Sequence, residues 1–229
     1  MKKVLILLAF AVMLLTASAQ DVYQRAEPKP STTGLLTKYI KPGVHPFFRA
    51  GGVGSDYVVT NANNDFGTRW GFTGEAGINV FFKNSFFGVQ TALRYVTQGG
   101  DLTNIKITQH SMQIPVNITM ILTPNENNRF QLAMGPYFGY GLGGDFDAVY
   151  IGIHNTSLYD VEVDGKKFNH SEVGCGMDAT YQYKKVQFTF GMSVAFTHIH
   201  DGDFGEFDNG DVAKWPRNRS FRLTVGYEL

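Results

Sequence analysis

The stretch Trp70-Gly71-Phe72-Thr73-Gly74-Glu75-Ala76-Gly77-Ile78-Asn79-Val80-Phe81-Phe82 decides how this chain is read. Trp70, Phe72, Gly74, Ala76, Ile78, Val80 and Phe82 fall on one face of a strand. Gly71, Thr73, Glu75, Gly77 and Asn79 fall on the other, joined late by Phe81. Successive strand side chains point to opposite sides, so the stretch has one apolar wall and one polar wall.

The pattern recurs along the chain. Apolar residues alternate with polar or small ones from Phe87 to Tyr95, Ser111 to Met120, Phe130 to Leu142, Glu172 to Tyr183, Gln187 to Phe196 and Phe221 to Leu229. The segment Phe47 to Tyr57 is the least regular, and its Gly51, Gly52 and Gly54 predict a bulge or sharp bend. Short links (Lys83 to Ser85, Thr123 to Arg129, Lys184-Lys185) alternate with longer ones: Ser55 to Arg69, Thr97 to Lys106, Gly143 to His170 and Thr197 to Asn218. Short turns at one end and long loops at the other are the mark of an outer-membrane barrel. The expected fold is therefore all-β: a transmembrane, antiparallel, up-and-down β-barrel of about eight strands, with long extracellular loops and short periplasmic turns.

The faces choose between a membrane barrel and a soluble one. A bilayer-spanning chain must satisfy its backbone hydrogen bonds internally, which only helices and closed barrels achieve. A soluble barrel would point its oily residues inward. Here the polar face carries charges at mid-strand, Glu75, Arg94, Asp178 and Arg222, among many glycines. That composition suits a narrow packed lumen in which small residues leave room for long charged ones. Glu75 and Asp178 are expected to pair with Arg49, Arg94 or Arg222, filling the lumen rather than lining a conducting path.

Aromatics are expected to form two interfacial girdles. Trp70, Tyr95, Phe138, Tyr140, Phe196 and Phe221 would sit toward the outer rim; Phe82, Phe87, Phe130, Tyr181, Tyr183 and Tyr227 toward the inner one. Pro136 on the lipid face and Pro115 on the lumen face each lack an N–H, so each costs a ladder bond or marks a bulge.

The amino terminus reads as a signal peptide over residues 1–19. Lys2 and Lys3 precede an apolar run from Val4 to Leu15, and Ala17 and Ala19 suit a signal peptidase. Residues 20–44, with Pro28, Pro30 and Pro42, read as a periplasmic extension, and 45–229 as the barrel. The chain has net charge 0 with those two lysines, so the mature part is slightly acidic, which argues against a nucleic-acid partner. A single cysteine, Cys175, excludes an internal disulfide.

At this point several motifs, in order, resemble the PorT-like outer-membrane β-barrel domain family. They are His110-Ser111-Met112-Gln113-Ile114-Pro115-Val116, then Ala133-Met134-Gly135-Pro136-Tyr137-Phe138-Gly139-Tyr140, Val173-Gly174-Cys175-Gly176 and Leu223-Thr224-Val225-Gly226-Tyr227. The resemblance covers about His45 to Leu229. It implies a barrel in the bacterial outer membrane and leaves the activity open, because one fold hosts many functions. One departure is the last residue, Leu229, where the closing strand of such proteins usually ends in an aromatic; Tyr227 lies nearby.

Candidate chemistry is sparse. Asp201, Asp203, Glu206, Asp208 and Asp211, interleaved with glycines, could weakly chelate a divalent cation, although their spacing is not that of an EF-hand; a solvated acidic loop is the alternative. His198 and His200 would share a strand face and could begin a metal site. His110-Ser111 and His170-Ser171 put each histidine and serine on opposite faces, so neither pair makes a nucleophile and base. The link from Gly143 to His170 alternates enough to form a protruding hairpin with Asp164-Gly165 at its turn, either an edge another protein could extend or simply a stiffened loop. The expected function is non-enzymatic: structural, or adhesive through the outer loops, without a cofactor. An accessory subunit of an envelope secretion or assembly complex, a lipid-modifying enzyme and a soluble periplasmic barrel are the rivals. Expected partners are outer-membrane lipids, lipopolysaccharide and envelope proteins.

Overall fold

A computed structural model describes residues 41–58, 67–83, 85–102, 105–148, 153–163, 165–201, 203–206, 212–214 and 216–229. The signal-peptide reading over 1–19 and most of the 20–44 extension lie outside the described residues. Among those described there is no helix. Eight strands build the body: β1 (Gly43–Val58), β2 (Gly67–Phe81), β3 (Phe87–Leu102), β4 (Ile105–Asn125), β5 (Asn128–Ala148), β6 (Ser171–Tyr183), β7 (Val186–His198) and β8 (Arg217–Glu228). Each pairs antiparallel with its sequence neighbours, and β1 pairs with β8 from Phe47↔Glu228 to Val58↔Arg217, so the sheet closes on itself. Closure leaves no edge in the body of the sheet, as a strand-built membrane span demands.

Side-chain direction gives the environment. Phe72, Leu93 and Leu223 are 54%, 52% and 62% exposed, whereas Arg49, Arg94 and Asp178 are 2%, 2% and 1% exposed. Oily residues cover the outside and charges fill the inside. A protein living in water could not sustain that arrangement, since so large an apolar exterior would drive association; bilayer hydrocarbon can cover it.

The strands overrun the membrane on one side. β4 and β5 have 21 residues each, about 70 Å at ~3.3 Å per residue. Even tilted by ~45° they exceed the ~25 Å apolar band. Three sequence-based expectations change here. The Thr97–Lys106 link is not a long loop: β3 runs to Leu102 and β4 resumes at Ile105. β1 carries no bulge, because its register to β2 and to β8 runs without a shift. Irregularities fall elsewhere, between Thr68 and Thr73 in the β2–β3 pairing, at His110/Ser111 and Leu122/Asn125 in β4–β5, and between Val194 and His198 in β7–β8. The acidic stretch is also not simply a loop, since Asp203–Glu206 pairs antiparallel with Val212–Lys214. Pro115 and Pro136 lie beside gaps in the ladder without shifting it: no pairing is made between Thr91↔Val116 and Arg94↔Gln113, or between Pro115↔Tyr137 and Ile118↔Met134.

The turn end is tied together. Lys184 N–H donates to Asn127 O (2.6 Å), Glu228 N–H to Lys185 O (2.8 Å) and Leu229 N–H to Pro46 O (2.9 Å). Lys184 takes φ 56°, the left-handed corner of the two-residue β6–β7 turn.

Candidate functional site

The lumen holds a dense polar network, and the five residues Arg49, Glu75, Arg94, Asp178 and Arg222 meet at its centre. Arg94 Nε donates to Glu75 Oε2 (2.7 Å) and its Nη2 to Asp178 Oδ2 (3.1 Å). Arg49 Nη1 reaches the other Glu75 oxygen at 3.2 Å, while its Nε donates to Gln187 Oε1 at 2.8 Å. Arg222 Nη2 donates to Asp178 Oδ1. The result is a ladder of alternating sign, Arg49–Glu75–Arg94–Asp178–Arg222, spread over five strands. In-register pairing sets it up: Arg49 faces Glu75 across β1–β2, and Glu75 faces Arg94 across β2–β3. Two glycines provide the space. A Cβ on Gly191 would lie 2.7 Å from Arg222 Cζ, and one on Gly226 would collide with Arg49 Cγ.

Two further tiers flank the ladder. Toward the turns, Glu228 gathers Arg129, Asn79, Gln182 and Gln187, with His45 Nδ1 at 3.5 Å. Arg129 lies over the Phe81 ring (4.7 Å) and Arg49 over Phe47 (4.2 Å), and both phenylalanines are buried. Toward the outside, Glu172 accepts from Tyr137 Oη (2.7 Å), Gln98 Nε2 (3.0 Å), Gln113 Nε2 (3.3 Å) and Asn218 Nδ2 (3.3 Å). Neutral donors thus cage this carboxylate.

Above Glu172 the lumen turns oily. Tyr57, Ile107, Phe146, Ala148, Leu158, Tyr159, Val161, Phe168 and Ile199 form a buried apolar core. A bulge makes it possible. Up to Gly141 the odd residues of β5 face inward; then His110 pairs with Gly143 while Ser111 pairs with Gly141, so Leu142 is extra. One added residue inverts the faces beyond it. Phe146 and Ala148 therefore turn in, opposite Ile107 and Ile105, and Asp145 and Asp147 do not.

The 143–170 link adds Leu158, Tyr159, Val161 and Phe168 to this cap, while Tyr57 comes from β1 and Ile199 from beyond β7. Ile153–Ser157 returns along β5, and Glu162–Val163 pairs with Lys166–Lys167 around Gly165 at φ 73°. The hairpin expected at Asp164-Gly165 is present but short; Asp164 itself is outside the described residues. Leu158 to Phe168 fold back over the barrel mouth. Tyr159 stacks on His170 (3.8 Å) and receives Gln109 Nε2 (2.9 Å), and burial pushes its phenol up to about 12.

The remaining candidates do not assemble. Asp201 accepts from Asn169 Nδ2 (2.9 Å); Asp203 and Glu206 lie on the outer hairpin; Asp208 and Asp211 are outside the described residues. His198 Nε2 accepts from Arg217 Nε (3.2 Å), whereas His200 is buried beside Lys166 O (3.0 Å). Among the described residues no three His, Cys, Asp or Glu side chains are placed to hold a metal ion. His110 hydrogen-bonds Tyr95 Oη (2.8 Å), and Ser111 is buried in the lumen.

Sequence reasoning passed over Glu172, Glu228 and Arg129. The first two do sit on the inward, polar face of their strands, so alternation pointed them into the lumen. They stand near strand ends, where loops and strands read alike, and Arg129 was assigned to a turn.

A closed eight-stranded barrel, oily outside and ionic within, is an outer-membrane barrel protein. The chain belongs to the outer membrane protein beta-barrel domain family, whose sequence model matches residues 41–201. No curated protein matches the chain. Among solved structures it is similar to Neisserial surface protein A (12% identity, 82% of this chain and 99% of that one, TM-score 0.46). It is also similar to OprG from Pseudomonas aeruginosa (9% identity, 82% and 97%, TM-score 0.46) and to Ail, the attachment invasion locus protein of Yersinia pestis (12% identity, 82% and 100%, TM-score 0.42). Family membership implies the bacterial outer membrane as its location.

Proposed function

We propose that the chain is a non-enzymatic barrel whose plugged body carries its outer hairpins as a structural or adhesive surface. The carrying observation is the apolar cap over the ionic lumen. Ion pairs saturate Glu75 and Asp178, the cap covers the outer mouth, and Phe47, Phe81 and the Arg129–Glu228 pair fill the inner one. Among the described residues a lumen so filled leaves Glu75, Asp178 and Glu172 out of a substrate's reach, and what extends beyond the bilayer is the outer ends of β1–β5 with the described parts of the 143–170 and 199–216 links. The test replaces residues 143–170 with a short turn in cells that display the protein. Binding of those cells to host surfaces or matrix should fall, while the purified wild type should add no unit conductance to a planar bilayer. Steady channel currents, or binding untouched by the replacement, would refute the reading. An unchanged lipid A mass profile after deletion of the protein is expected; a changed one would support the lipid-modifying alternative.

The PorT-like motifs favour a second reading, an accessory subunit of an envelope secretion or assembly complex. The first two are neighbours in space, since Ile114 faces Phe138 and Pro115 faces Tyr137 across β4–β5. Co-purification with envelope partners supports this reading; a lone monomer after gentle detergent extraction opposes it. Two smaller proposals accompany the main one. Lipopolysaccharide covers the outer rim, and the stretch Asp201–Asp211 binds divalent cations weakly, a point on which calorimetric titration with Ca²⁺ decides. Export is by a peptide cleaved after Ala19, to be read from the amino-terminal sequence of the mature protein.

A further inference from the structure

We propose that a groove across the outer wall of β4–β8 seats one acyl chain of an anionic phospholipid of the periplasmic leaflet, with its phosphate held by Lys184 and Lys185. The groove has a volume of about 560 Å³. Its lower wall is a row in cross-strand register, Phe130↔Tyr181↔Phe188↔Val225, extended by Leu122 on β4. The upper wall is the next outward row, Leu132↔Ala179↔Phe190↔Leu223. Ala179 offers only a methyl group between Leu132 and Phe190, so the upper wall is notched there. The backbone between the rows makes the floor. The rows cross five strands, hence four spacings of ~4.8 Å, or about 19 Å. The groove matches a membrane acyl chain in polarity, and from beneath the β6–β7 turn about 12 Å of it runs toward β4 and about 7 Å toward β8.

Charge settles which lipid, and from which leaflet. Tyr183 and Tyr227 continue the outward columns of β6 and β8 one step toward the turns. Lys184 Nζ stands 5.5 Å from the Tyr183 ring centre, and Lys185 Nζ 5.6 Å from that of Tyr227. Two residues of strand span about 7 Å, the scale separating a lipid phosphate from the start of its acyl chains. The turn that carries the two lysines is held in place, because Lys184 N–H donates to Asn127 O and Glu228 N–H to Lys185 O. Glu126 and Glu228 share the polar pocket beside the two lysines, and Glu228 is already committed to Arg129. The lysines lie at the short-turn end, so the partner comes from the periplasmic leaflet, and their joint charge favours phosphatidylglycerol over a zwitterionic headgroup.

Native mass spectrometry of the full chain, released from nanodiscs with equal phosphatidylglycerol and phosphatidylethanolamine, tests this. The wild type should retain one phosphatidylglycerol in preference. Lys184→Gln with Lys185→Gln should lower that retention by about an order of magnitude, with unheated gel mobility unchanged. Ala179→Phe, which fills the notch without touching charge, should lower retention of both lipids. Equal retention of the two lipids by the wild type would overturn the proposal. So would wild-type behaviour of either variant, or displacement of the bound lipid by lipopolysaccharide at equal concentration.

Discussion

Replacing Glu75 with Gln tests the ladder at its most connected acid. Glu75 takes Arg94 Nε on one oxygen and Arg49 Nη1 on the other. In the variant Arg94 keeps Asp178, but Arg49 is left with no carboxylate, only the neutral Gln187 and the Phe47 ring. Arg49 is 2% exposed, and its Nη2 already has no hydrogen-bond partner, so water cannot readily make up the loss. Removing one member of a buried pair strands the other's charge and costs about 3–5 kcal/mol. Urea unfolding in lipid vesicles, followed by tryptophan fluorescence and by gel mobility without heating, measures it. Adding Arg49→Met removes the stranded charge, so the double variant should be less destabilised than the sum of the singles by about 1–3 kcal/mol. A Glu75→Gln barrel within about 0.5 kcal/mol of wild type, or strictly additive effects, would refute the ladder as a coupled unit.

Deleting Leu142 should remove the bulge and leave β5 in regular pairing, with Phe146 still inward opposite Ile107; limited proteolysis should then find the 143–170 segment as resistant as in the wild type, and ready cutting there would refute the reading of Leu142 as the extra residue. Tyr159 has its folded pKa raised from 10.0 to about 12 by burial, so its contribution to the cap is complete below pH 10 and is lost as pH climbs through 12. Tyrosinate absorbance should show that late titration, and Tyr159→Phe should remove that component and weaken the pH dependence of cap opening. Gly191→Val should drive a methyl group into the Arg222–Asp178 pair and lower refolding yield, whereas Cys175→Ser, on the exposed lipid face, should leave the lumen intact.

Much of the barrel was legible because strand side chains alternate with a period of two and the bilayer reverses the usual sense of inside. Phe72 and Glu75 stand on opposite faces whatever the neighbours do, and only hydrocarbon outside makes both comfortable. The same alternation singled out Glu75, Arg94, Asp178 and Arg222 as lumen residues and left Arg49, in the least regular segment, as a candidate partner for the two acids. It was blind beyond the membrane, where β4 and β5 continue but the apolar residues change sides at Leu142. A single inserted residue leaves little trace in composition, so a stretch holding Phe146 and Ala148 resembled a loop.

What the amino-acid order determined by itself was local: which residues alternate, how many segments do so, and therefore a closed sheet with oil outside and charge within. Which arginine meets which carboxylate, and that Glu172 is held by amides and a phenol instead, depended on register across five strands. The apolar cap depended on tertiary structure too, because it joins Tyr57, Ile107, Phe146 and Ile199 from separate strands and loops. Contacts between residues so far apart in the chain exist only once the barrel has closed, and no periodicity within one segment encodes them.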